Sequence, residues 1–112
     1  MANVYKNIQA KVTSAGSFDD MYTAPAETTS IVKTIKLFNT HGSALDVEIK
    51  IYDASGATYY EYDIANVTAS DGVDLLTFNN ILILEAGDII KMKCATGNVI
   101  KMTASVLQTS RT

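Results

Sequence analysis

Few residues in this chain could carry chemistry. There is one histidine, His41, and one cysteine, Cys94. Acyl transfer would need a nucleophile, a base and an orienting acid within hydrogen-bond reach. His41 sits in the glycine-bearing cluster "NTHGSA", far in sequence from Cys94. Cys94 alternates in step with Ile90 and Met92, the pattern of a small core residue. One histidine and one cysteine give no zinc set, and the acidic pairs Asp19-Asp20 and Asp71/Asp74 lack the ligand spacing of a calcium loop, so both pairs read as solvated turns. The six glycines stand singly at turn-like positions and form no phosphate loop. The sequence therefore predicts no catalytic residue, no metal ligand and no cofactor.

The tyrosines are the other candidates. Six of them with no tryptophan fit either a contact surface, where tyrosine combines apolar area with a hydroxyl, or packing across a sheet. Tyr52 and Tyr59 fall outward beside charged residues at the two ends of one predicted hairpin turn and are the candidate interface. Tyr60 and Tyr62 share the parity of Ile64 and are expected to pack inward. In "ILILEAGDIIKM", the polar interruption Glu85-Ala86-Gly87-Asp88 could be a binding loop or a corner. With strands on both sides it reads as a corner, Gly87 supplying a backbone angle that costs other residues energy and Asp88 bonding local amides.

The elements that would hold these residues have a hydrophobic period of two. Leu45, Val47, Ile49 and Ile51 alternate with Asp46, Glu48, Lys50 and Tyr52, a half-buried strand. The turn "DASGA" joins it to Thr58–Ala65 as a hairpin. Earlier, Val4–Thr13 puts Ile8, Ala10 and Val12 on one face. Phe18–Thr23 is a short strand stopped at Pro25, and Ile31–Asn39 is a third long one. Later, Val73–Phe78 and Ile81–Leu84 precede Ile89–Cys94 and Val99–Leu107. These last two read as a terminal hairpin across "ATGN", with Ile90, Met92 and Cys94 facing Ile100, Met102, Ala104 and Val106.

About eight short strands with no sustained helical period predict an all-β fold, an antiparallel β-sandwich with jelly-roll-like or immunoglobulin-like connections. A length of 112 residues implies one domain over 1–112, with residues 1–12 an N-terminal strand or arm. A net charge of -3 with scattered bases argues against nucleic acid. Lys91, Lys93 and Lys101 lie close enough to form a small basic patch, although a solvated strand face is the better reading. No apolar run nears the ~20 residues of a membrane span, and no secretory signal opens the chain. The lone cysteine fits a reducing compartment. Asn66-Val67-Thr68 matches a glycosylation acceptor but falls at a strand end.

The order of segments, "VYKNIQAKVT", "MYTAPAETTSIVKTIKLFNT", "ILILEAGDIIKM" and "NVIKMTASVLQ", resembles small virion structural proteins of tailed bacteriophages. Their pattern is a tyrosine with a small-Pro-small turn, a strand ending in Asn, and a late Leu-Glu-x-Gly-Asp. The likeness spans almost the whole chain, and its motifs are turns and strand edges. It implies a non-enzymatic capsid cement or decoration protein of the virion, made in the host cytoplasm. Its partners would be itself as a homo-oligomer, a trimer at threefold positions, and the major capsid protein or another virion protein. The alternative is a neck, tail or tail-fibre component, including a glycan-binding module.

Overall fold

A computed structural model describes residues 3–76 and 80–110. Among the described residues nine strands follow in order: β1 (Asn3–Lys11), β2 (Asp19–Thr23), β3 (Thr28–Asn39), β4 (Leu45–Asp53), β5 (Thr58–Val67), β6 (Asp71–Asp74), β7 (Leu82–Leu84), β8 (Ile89–Cys94) and β9 (Ile100–Ser110). β3 starts three residues before the predicted Ile31, and of the predicted strand Val73–Phe78 the described part is strand only at Val73 and Asp74, in an element that begins at Asp71, residues 77 and 78 lying outside the described residues.

The strands form two antiparallel sheets. The first runs β1-β9-β3-β6, with β7 also on β3, and the second runs β2-β8-β4-β5. The first strand pairs with the last, Asn3 opposite Thr109 through Lys11 opposite Lys101, and successive strands cross between sheets except in the β4–β5 hairpin and the β6–β7 step. This order is that of a jelly roll, which decides between the two connectivities left open by the sequence.

Alternation places one face of each sheet in the core. Val32, Ile35 and Leu37 of β3 and Ile100, Met102, Ala104 and Val106 of β9 meet Val47 and Ile49 of β4 and Ile90, Met92 and Cys94 of β8, all of them buried. Burying a side chain of this size contributes about 1.5–3 kcal/mol. The predicted terminal hairpin is not formed. β8 pairs with β2 and β4, β9 pairs with β1 and β3, and "ATGN" carries the chain from one sheet to the other. Their apolar faces do look at each other, but across the core. Alternation records which side chains point inward and is the same for a hairpin and for a corner.

Polar atoms inside the sandwich are matched. The Tyr22 hydroxyl is 2.7 Å from Ser30 Oγ and accepts from Gln108 Nε2 at 2.8 Å, joining the second sheet to the first. Asn39, fully buried, donates from Nδ2 to the carbonyls of Ser43 and Val67 at 2.9 and 3.0 Å and accepts from the His41 N–H at 2.8 Å. Buried polar groups cost free energy unless bonded in this way.

Candidate interaction surface

Tyr52 and Tyr59 lie directly opposite one another on β4 and β5, with ring centroids 4.8 Å apart and planes tilted by 50°. The bulk of the β4–β5 pairing and the short turn after Asp53 set this register. Asp53 Oδ1 accepts from the Ser55 N–H at 3.1 Å and from its hydroxyl at 2.7 Å, closing the turn and holding the Asp53 carboxyl below its usual range, the Ser55 hydroxyl being the largest cause. Tyr59 is 50% exposed and Tyr52 half-buried.

Around them the outer face of the second sheet carries two adjacent lysines flanked by acids. Asp20, Lys91, Lys50 and Glu61 are successive cross-strand neighbours over β2, β8, β4 and β5. Lys91 Nζ is 2.5 Å from Asp20 Oδ1 and 5.5 Å from the Tyr59 ring centroid. The bond to Asp20 raises the Lys91 pKa. Lys50 and Lys93 place their ammonium groups 4.7 and 5.1 Å from the Phe18 centroid, and Lys93 Nζ is 3.7 Å from Glu48. A groove of about 170 Å³ opens between Phe18, Lys50, Tyr59 and Lys91. That is below the roughly 300 Å³ at which small-molecule pockets begin. Cations over aromatic rings with acids beside them suit a protein contact better than an enclosed ligand.

The basic patch, the lesser of the two readings, does not form. Lys101 is on β9, in the other sheet, while Lys91 and Lys93 face out from the second sheet with acidic partners. The inward placement of Tyr60, Tyr62 and Ile64 is also overturned, as they are 59%, 38% and 67% exposed. Ile49 pairs with Asp63 but Lys50 pairs with Glu61, so Tyr62 is an extra residue in β5. A bulge of this kind reverses the parity of side chains beyond it. Ile64, opposite outward-facing Glu48, therefore points to solvent with Tyr62, and Tyr60 lies at the rim of the inner face opposite half-buried Ile51.

A second patch was missed in the sequence. On the outer face of the first sheet, Tyr5, Leu107, Ile31 and Ile83 are successive cross-strand neighbours over β1, β9, β3 and β7. Tyr5 is 73% and Ile83 57% exposed, and Lys33 Nζ reaches to 5.6 Å from the Tyr5 ring centroid. Tyr5, Ile31 and Leu107 are each one apolar position among polar neighbours of the same parity, and Ile83 follows only Ile81. The row exists only once the four strands are placed side by side.

Gly87 and Asp88 sit where β7 of the first sheet hands over to β8 of the second. Gly87 has φ +86, and a Cβ there would lie 3.0 Å from that of Ala54. Asp88 accepts at Oδ1 from the Ala54 N–H at 3.0 Å and at Oδ2 from the Glu85 N–H at 2.9 Å. The corner thus fastens the β4–β5 turn, and with it the Tyr52–Tyr59 pair, to the body of the sandwich. No ligand group is held there by these bonds.

The residues singled out for chemistry are dispersed into structural roles. Cys94 is 2% exposed in the core, and His41 Nδ1 accepts from the Ser43 N–H at 3.2 Å. Asp19 Oδ2 accepts from the Thr13 and Ser14 N–H groups at 2.6 and 3.0 Å, which holds its carboxyl below the usual range, the Ser14 amide being the largest cause. Among the described residues no three of His, Cys, Asp or Glu are grouped to hold a metal, and no helix is long and apolar enough to cross a membrane.

No family model matches this chain, and no curated protein matches it. Solved structures do. A chain from Bacillus endospore appendages, described as disulfide-linked pili, superposes with TM-score 0.60 at 11% identity over 98% of this chain and 89% of that one. A chain from the acidic stable capsid of Helicobacter pylori bacteriophage KHP30 gives 0.57 at 11% identity over 100% and 90%. A pentameric capsid protein from metagenomic phage sequences gives only 0.38, at 18% identity, over 91% and 60%. At these identities the first two likenesses show a shared fold: this jelly roll, nearly end to end, is that of a phage capsid chain and of a pilus chain.

Proposed function

We propose that this protein is a non-enzymatic structural protein of a bacteriophage virion, a cement or decoration protein that binds the head shell as a homotrimer. The observation that carries the reading is the end-to-end fold likeness to the KHP30 capsid chain, together with the sequence resemblance to small virion proteins. The surface supports it: aromatic and aliphatic residues stand on both outer faces, exposed Tyr5 and Ile83 with half-buried Leu107 and Ile31 on one, and exposed Tyr59, Tyr62 and Ile64 with half-buried Tyr52 on the other. Contacts of this kind, weak in one copy, add through effective concentration when several copies are joined. The partner is the major capsid protein or another virion protein.

The pilus likeness suggests a second reading, a fibre subunit. Disulfide linkage, as in the appendages so described, has no support in Cys94, which is buried in the core. A neck, tail or fibre module that binds a host glycan is the remaining alternative, and the open groove at Phe18 and Tyr59 is where a sugar ring would stack. Purified protein added to shells stripped of their decoration tests the proposal. Saturable binding with delayed thermal rupture is expected, and binding to a host glycan without binding to shells would replace it by the fibre module.

A further inference from the structure

We infer that the free edge of β1 pairs with the free edge of β5 of a second copy, so that copies of this chain join head to tail by extending one another's sheets. This specifies the self-association proposed above, but its evidence is the edge strands alone.

Each sheet ends in two edges, and they are unequal. β2 is five residues long with a register shift between Asp20 and Tyr22, and β6 and β7 have four and three residues. β1 has nine in unbroken register, and β5 has ten, with the bulge at Tyr62 within them. Among the described residues neither has a second neighbouring strand. An edge of that length offers a row of unpaired amides and carbonyls to any strand that fits.

What fits is set by charge. β1 carries Lys6 and Lys11 and no acid, while β5 carries Glu61 and Asp63 and no base, and all four are exposed. Pairing β1 with β1, or β5 with β5, sets like charges together, whereas β1 with β5 sets opposite charges together. The same charges that discourage like-with-like pairing thus select the unlike partner. Apolar residues agree: β1 exposes Val4 and Tyr5, and β5 exposes Tyr59, Tyr60, Tyr62 and Ile64. Aromatic and aliphatic side chains on adjoining strands stabilise a sheet when brought side by side.

The two edges also face in opposite directions. β1 ends the first sheet, on the side where it packs beside β2, and β5 ends the second sheet, on the side where it packs beside β3 and β6. A copy that receives β1 at its β5 edge still presents its own β1 on the far side. Such a contact is heterologous and either closes into a ring, as a trimer would, or continues as a filament.

Charge reversal tests the pairing. One variant carries Lys6→Glu and Lys11→Glu, the other Glu61→Lys and Asp63→Lys, and circular dichroism verifies that each keeps its sheet. In sedimentation at low salt the wild-type chain runs as a multimer. Each variant alone has its self-association weakened about tenfold or more. An equimolar mixture of the two associates again, because acidic β1 of one then meets basic β5 of the other and basic β1 meets acidic β5; unlike chains alternate, so even-numbered species form and a closed trimer keeps one mismatched contact. A variant that keeps the wild-type mass, a folded mixture that stays monomeric, or a monomeric wild type overturns the inference. Should charge reversal disturb a strand, chains with Asn7→Cys mixed with chains with Ile64→Cys give the answer by oxidation: joining of unlike chains supports the pairing, and joining only of like chains overturns it. Wild type that multimerises through these edges but ignores phage shells removes the virion reading and leaves the pairing in place. Wild type that binds shells as a monomer does the reverse.

Discussion

The hydroxyl of Tyr22 lies 2.7 Å from Ser30 Oγ, so a strand of one sheet is hydrogen-bonded to a strand of the other through the core. Ser30 is fully buried and Tyr22 is 8% exposed. Tyr22→Phe keeps the ring and leaves the Ser30 hydroxyl short of a partner, which costs about 1–2 kcal/mol. The urea midpoint should fall with the slope of the transition unchanged. An unchanged midpoint would mean that this bond adds nothing to the packing of the two sheets.

At the β7–β8 corner, Gly87→Val is expected to destabilise by about 1–3 kcal/mol, since φ +86 penalises a β-carbon and Ala54 crowds it. Gly42→Ala is the control, because a Cβ there meets nothing within 4 Å. Thermal melting compares them, and equal melting temperatures would contradict the role given to the corner.

Asp19 makes stability depend on acid pH. Amide bonds from Ser14 and Thr13 lower its folded-state pKa, so the unfolded chain takes up the proton first. The stabilisation is full above the ordinary carboxylate value and is lost as pH falls through the lowered one. Asp19 is half-buried and solvent screens part of the effect, leaving about 1 kcal/mol. Asp19→Asn should therefore lower the urea midpoint at pH 7 and converge on wild type in strong acid. A constant difference across that range would assign the effect to something other than the carboxylate charge.

Much of the sandwich was legible in period two. The strand over Leu45–Tyr52 and the hairpin from it to β5 lie where alternation put them, and Cys94 is in the core beside Ile90 and Met92. Two kinds of information were not legible. A bulge shifts parity by one residue without leaving a mark in composition, and Tyr62 in β5 is such a case. Pairing partners are set by contacts far apart in the chain, such as Asn3 with Thr109, so neither the sheet to which β8 and β9 belong nor the apolar row from Tyr5 to Ile83 could be read from one strand at a time. The buried Asn39 network has a sequence signal in hindsight: an amide closing an apolar strand just before a turn.

Cys94 should behave as a packing residue. At 2% exposure its thiol reaches reagent only when the fold opens, so labelling of native protein should be slow and should accelerate on adding denaturant. Rapid labelling of the native chain would contradict the core described here.

Electron microscopy of phage particles stripped of this protein and then incubated with it tests the central claim most directly. The account predicts extra density of jelly-roll size at symmetry-related positions on the head shell, in copies that contact one another. Bare shells, with density at a fibre tip or none, would contradict it.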